Sequence, residues 1–219
     1  MKDGIILIDK PTGMTSFSVV ARVRRVLSEQ HGKKVKVGHT GTLDPFATGL
    51  MILVIGNECK NAGSYSKLDK VYEATIHLGQ SSTTGDPDGE IINVSDIVPD
   101  ILEIKKVLQK FVGEITQRPP IYSAIKINGE RAYKLARKGK DTIIPTRQVI
   151  IHNLDLIKYK YPEIIIKTHV SSGTYIRSLV EDIGKKLGVG AYCTQLKRVE
   201  ISKWSIVDAK TLIDFSIIN

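Results

Sequence analysis

Cysteine is scarce in this chain: the two present, Cys59 and Cys193, have neither CxxC nor metal-ligand spacing. That speaks against a disulfide-stapled secreted scaffold and suits a reducing compartment. Long apolar runs are also lacking. The longest, Leu50–Ile55, falls far short of the roughly 20 residues a membrane-spanning helix needs. The opening MKDGIILIDK has an apolar run too short for a secretory signal, and Asp3 interrupts the expected basic region. Nucleotide and catalytic signatures are missing too: no GxxxxGK[ST], no GxGxxG, no GxSxG elbow and no His/Cys cluster for zinc. Thr83–Gly89 carries an acidic pair, Asp86 and Asp88, but the further ligands and glutamate of an EF-hand do not follow. These absences lead to the expectation of a cytoplasmic protein with no membrane span, metal or cofactor.

What is present is basic charge, unevenly spread. The chain has 219 residues and a formal net charge of +9. Residues 41–117 are acidic overall, whereas 118–147 hold eight basic side chains against two acidic, with Tyr122 and Tyr133 among them. Basic charge interleaved with aromatics suits phosphate and base contacts on nucleic acid, the alternative being a solvated charged surface. A chain of this length makes one domain, or two small lobes sharing a core.

Read in order, Gly4–Ile8 predicts a buried strand ended by the turn 9–13. A helix follows, capped by Thr15 or Ser16, with Val19, Val20, Val23, Val26 and Leu27 on one face. Val35–Val37 and Leu50–Ile55 predict strands, Gly56–Ser66 a turn and short helix, and Lys70–Gly79 a strand. Asp100–Val112 predicts a helix burying Leu102, Val107, Leu108, Phe111 and Val112. Tyr122–Ile127 reads as a strand entering the tight turn Asn128-Gly129, and Arg131–Lys138 as a short basic helix. Two strands, Arg147–Tyr159 and Glu163–Ser172, precede a helix over Tyr175–Leu187 that Gly188 ends. Leu196–Ser202 is the last expected strand and Thr211–Ile218 a terminal helix. Strands outnumber helices without strict alternation, which predicts an α+β fold.

The segment 38–50, GHTGTLDPFATGL, concentrates the chemistry. It sets three glycines, a proline, a histidine and one carboxylate between two apolar runs, as a shaped loop would to hold Asp44 in one geometry. The competing reading makes Asp44 a helix N-cap with Pro45 at the first helical position. Arg177 opens its helix after a Ser/Gly turn. It is either half of an i, i+4 surface pair with Glu181 or a cation held near the core to pair with a loop carboxylate. Taken singly, Tyr72 reads as a cross-strand aromatic, His39 as a loop histidine and Lys10 as a turn lysine in water.

The segments IDKPTGMTS, GHTGTLDPFATGL, KVYEATIHLG, PPIYSAIKINGERAYKLARKG, SSGTYIRSLVEDIGKKLG and GAYCTQLKR occur in one order along the chain. Together they closely resemble the TruB family of tRNA pseudouridine synthases, which modify uridine 55 in the T-loop. The resemblance implies a pseudouridine synthase fold: a mixed, mainly antiparallel sheet flanked by helices. Residues 1–219 would form the catalytic domain, with 118–147 as a basic insertion gripping the T-arm. It gives Asp44 the essential catalytic role and pairs Arg177 with it. It completes the uridine site with His39, Tyr72, Tyr175 and Leu196, and gives Lys10 and Pro11 a structural motif beside it. Lys10, Arg131, Lys134, Arg137 and Lys138 are then candidate RNA contacts.

Many family members continue into a C-terminal RNA-binding PUA domain, and the expectation for this sequence, which ends at Asn219, is a short form lacking it. The expectation is a monomeric isomerase acting on tRNA, with no cofactor and no protein partner. The alternative is a noncatalytic tRNA-binding or tRNA-folding factor on the same scaffold.

Overall fold

The computed structural model describes residues 3–123, 125–127, 129–132 and 144–217. The expected basic helix over Arg131–Lys138, including Lys134, Arg137 and Lys138, lies outside them except at its first two residues. The chain divides into two compact units, residues 1–72 with 196–219, and residues 73–195. Both are α+β, and the strands β4 (Lys70–Leu78) and β12 (Ala191–Ile201) contribute residues to each.

The first unit is built on β1 (Gly4–Lys10), β2 (Val37–His39) and β3 (Thr48–Ile55). β3 is buried along almost its whole length, as its unbroken apolar run requires of a central strand. β1 pairs antiparallel with it from Gly4↔Ile55 to Lys10↔Gly49. β2 pairs antiparallel on part of β3, and β12 joins in parallel at Lys197↔Thr48 and Arg198↔Gly49. Two short strands complete the sheet: β13 (Trp204–Ser205) beside β12, and β14 (Lys210–Thr211) parallel to β1.

Helix α1 (Ser16–His31) starts at the Thr15 cap, whose hydroxyl accepts from Ser18 N at 3.0 Å, and buries Val19, Val20, Val23 and Leu27. A 3₁₀ turn (Gly56–Asn61), α2 (Ala62–Ser66) and α5 (Leu212–Ile217) complete the unit. β1 runs two residues further than the sequence suggests, because Asp9 and Lys10 still pair with Leu50 and Gly49. β2 begins two residues later than expected, at Val37.

In the second unit the strands run β4, β11 (Glu163–Val170), β10 (Arg147–Lys160), β7 (Gly113–Gln117), with the first half of β12 beside β4. Thr194 donates its hydroxyl to Thr75 O there, at 3.1 Å. β10 pairs antiparallel with both neighbours. Two separate small ribbons are β5 (Gln80–Ser82) with β6 (Ile91–Asn93) and β8 (Lys126–Ile127) with β9 (Glu130–Arg131).

Helix α3 (Ile101–Gln109) is capped by Asp100 and buries Ile104, Val107 and Leu108. Of the expected buried set only Val107 and Leu108 hold: Leu102 is exposed, and the helix stops before Phe111 and Val112. Helix α4 (Ile176–Leu187) buries the expected stripe and ends at Gly188 in the left-handed conformation. β12 starts five residues before the expected strand, and two short strands follow it. No described helix is long and apolar enough to cross a membrane.

Candidate active site

Within the first unit, the segment between β2 and β3 is a loop, and no helix follows Asp44. The N-cap reading therefore fails. Ala47 N instead donates to Asp44 O at 3.2 Å, closing a turn, and Thr48 goes straight into β3. Asp44 is half-buried between two inward-facing anchors, Leu43 and Ala47.

The backbone around it is held at almost every turn. Ser16, the first residue of α1, donates its hydroxyl to Leu43 O at 2.9 Å and accepts from Leu43 N at 2.8 Å. Gly13 N donates to Pro45 O at 2.8 Å, and Thr12 donates its hydroxyl to Phe46 O at 3.1 Å.

Lys10 corrects two expectations, the turn lysine in water and the RNA contact. It is fully buried, and its ammonium donates to Pro11 O at 2.9 Å, Met14 O at 2.7 Å and Pro45 O at 3.2 Å. An ammonium has three protons, so its donors are used within the protein. The reason is register: Lys10 is the last residue of β1 and points inward opposite Gly49. Burial lowers its pKa to about 8, with Arg198 adding to the fall and the charge of Asp44 opposing it.

Arg198 is the residue the sequence reading missed. It lies on β12, almost fully buried. Its Nε donates to Leu50 O at 2.7 Å and its Nη2 to Gly41 O at 3.2 Å. The strand's period of two gives the signal: Leu196 and Arg198 face in while Lys197 faces out. Gly49 makes this approach possible. Its φ of +107° is poorly open to other residues, and a Cβ there would run into the Arg198 backbone.

Leu196 is buried, and its carbonyl lies 3.5 Å from the Thr48 hydroxyl. His39 ends β2 opposite Leu53, and Thr40 N donates to Ile52 O where the loop leaves the strand. Tyr72 is 8% exposed on the inward face of β4. The first unit thus brings Asp44, Lys10 and Arg198 to one loop, with His39 and Leu196 on strands at its ends.

The second unit carries Arg177 and Tyr175. Arg177 is buried, and the expected surface pair with Glu181 is not its arrangement. Its Nη1 donates to Asp86 Oδ2 at 2.9 Å and to Thr84 O at 2.8 Å, and its Nη2 to Tyr122 O at 2.9 Å. Asp86 belongs to the segment 83–89, whose sequence predicts a turn. It is itself held: Oδ1 accepts from the Thr84 hydroxyl and from Asp88 N, and its carbonyl accepts from the Ser82 hydroxyl. Gly85, at φ +72°, lets this turn lie against α4, where a Cβ would meet the Glu181 carboxylate. Burial raises the pKa of Glu181, which Lys185 partly offsets.

Tyr175 is half-buried, and its backbone is clamped by Gln117. The amide nitrogen of Gln117 donates to Tyr175 O at 3.0 Å, and its oxygen accepts from Tyr175 N at 2.8 Å. The Arg147 guanidinium sits over the Tyr175 ring, 4.8 Å from its centroid. Arg131 lies on β9.

The family model described as "TruB family pseudouridylate synthase (N terminal domain)" matches residues 24–176, which include the Asp44 loop. A tRNA pseudouridine synthase B of Opitutus terrae is 40% identical over 211 residues, covering 96% of this chain and 86% of the relative. One from Syntrophobacter fumaroxidans is 40% identical over 210 residues, covering 95% and 67%.

Among solved structures, a chain of a Cbf5-Nop10-Gar1 complex superposes with a TM-score of 0.74 at 29% identity, over 96% of this chain and 53% of that one. A chain of an H/ACA RNP bound to a substrate RNA containing 2′-deoxyuridine gives 0.70 at 27% identity, over 96% and 51%. This chain therefore spans about half the length of those structural relatives.

Proposed function

The chain belongs to the TruB family of pseudouridylate synthases, and on that premise we propose that it isomerises uridine to pseudouridine in tRNA, at position 55 of the T-loop. The observation that carries the reading is Asp44: a half-buried carboxylate on a loop fixed through its backbone, within the electrostatic reach of buried Lys10. A carboxylate whose loop is fixed in this way is positioned to act on a sugar carbon.

The reaction breaks the C1′–N1 bond, turns the uracil and joins C1′ to C5. C5 loses its proton and N1 gains one, so the atoms balance without a co-reactant. The uridine must first leave its stack. Tyr72 stacks on the extruded uracil, His39 helps hold the opened loop, and Tyr175 and Leu196 wall the pocket. Asp44 acts on the ribose, by attack at C1′ or by removing the C2′ proton. Arg177, already bonded to Asp86, serves in addition as a positive partner of the reacting carboxylate. Glycosidases need two carboxylates, whereas here the leaving uracil stays bound and becomes the next nucleophile, so one is enough. The basic segment 118–147, with Arg131, Lys134, Arg137 and Lys138, grips the T-arm. The protein works as a cytoplasmic monomer.

The test is incubation of the purified protein with an unmodified tRNA transcript, without cofactor. Pseudouridine is expected at the T-loop. Asp44→Asn is expected to lose at least about 10³-fold in rate with tRNA affinity within a few fold. Turnover by that variant would remove Asp44 from the chemistry. Tight binding with no product from the wild type would leave a noncatalytic tRNA factor, and release of free uracil a nucleoside hydrolase.

A further inference from the structure

Arg198 is a poor choice for filling a core. A buried cation costs solvation that an apolar side chain of similar size does not, and exchanging such charges for hydrophobic residues is often neutral or stabilising. Its charge also works against its neighbours, since it lowers the pKa of both Lys10 and Lys70. What it does supply is geometry. Its Nε and Nη2 take Leu50 O and Gly41 O, carbonyls on either side of Asp44, near the two ends of the loop. Lys10 holds the Pro45 carbonyl between them. A planar guanidinium can span two separated acceptors where an ammonium acts as a single point.

We propose that Arg198 is a positioning residue for the reaction: it ties the start of the loop at Gly41 to β3 at Leu50, just beyond the loop's end, and so fixes where the Asp44 carboxylate stands. The proposal rests on the catalytic role given to Asp44 above. Released from the clamp, the loop would let the carboxylate drift. A displacement of about 1 Å is enough to cost on the order of 100-fold in rate. Substrate binding would be little changed, because Arg198 is buried and its polar contacts are to backbone.

The experiment compares wild type, Arg198→Lys and Arg198→Met by steady-state kinetics on a tRNA transcript, by thermal melting and by amide hydrogen exchange. For Arg198→Lys the expectation is a loss of about 10- to 100-fold in kcat with KM within about threefold. Amides of residues 40–50 should exchange at least about tenfold faster, with β10 and β11 unchanged. Arg198→Met should show the larger kcat loss of the two.

A kcat for Arg198→Lys within twofold of wild type overturns the proposal, as does a loss confined to KM. Loss of cooperative melting in both variants also overturns it, since Arg198 would then be a core residue only. Should the wild type itself make no pseudouridine, the proposed function fails. Hydrogen exchange still decides the clamp: unchanged exchange over 40–50 sinks it.

Discussion

Lys10 carries a charge that burial disfavours and that its surroundings use. Its pKa falls to about 8 from the ordinary lysine value of 10.5, chiefly through burial. Between those values the unfolded chain holds more protons than the native one, so this residue's contribution to stability grows as pH rises across the window. It is complete above the unfolded value and lost as pH falls through about 8. Lys70 is lowered to about 8 by the same cause, so a variant is needed to separate the two. The urea midpoint of wild type is expected to gain on that of Lys10→Met between pH 7.5 and 10. Parallel pH curves for the two proteins would show that Lys10 titrates normally in the fold. Inward-facing charge of this kind is hard to see in a sequence. Lys10 looks like a turn residue, and only the extension of β1 opposite Gly49 turns it inward.

Among the elements, the turn 83–89 and helix α4 are joined by the ion pair between Asp86 and Arg177, both nearly buried. Removing one member of a buried pair leaves the other charge poorly compensated and costs about 3–5 kcal/mol. Asp86→Ala is therefore expected to lose about that much in denaturant unfolding, with Asp86→Asn losing less because it keeps the hydrogen-bonding shape. A loss for Asp86→Ala below about 1 kcal/mol would reduce the pair to an ordinary surface contact. Helix α4 itself is legible in the sequence, from its apolar stripe to Gly188. What could not be read is that a turn ninety residues earlier supplies the carboxylate. Helix α3 shows the opposite error. Ile104, Val107 and Leu108 share one face by i, i+3 and i+4 spacing, and Leu102 lies off it.

At the scale of the whole molecule, charge is the clearest signal. The net charge of +9 is concentrated in part in residues 118–147. If that segment grips RNA, each lost phosphate contact removes about 0.7–0.9 from the slope of log affinity against log salt. Charge reversal by Arg137→Glu and Lys138→Glu is expected to weaken tRNA binding and flatten that slope. An unchanged slope would place the segment in solvent.

By itself the sequence determined the family, the α+β class, most strands and helices, and the loop that carries Asp44. These depend on local chemistry: apolar periodicity, glycine and proline at fixed offsets, and short motifs in one order. Only the tertiary structure decided that Asp44 caps no helix, that Lys10 and Arg198 are buried against the carbonyls around it, and that Arg177 takes Asp86 rather than a neighbour on its own helix. Those outcomes depend on which residues from distant parts of the chain share a buried space. There a charge is kept only where backbone oxygens or an opposite charge meet it, and no local pattern records that.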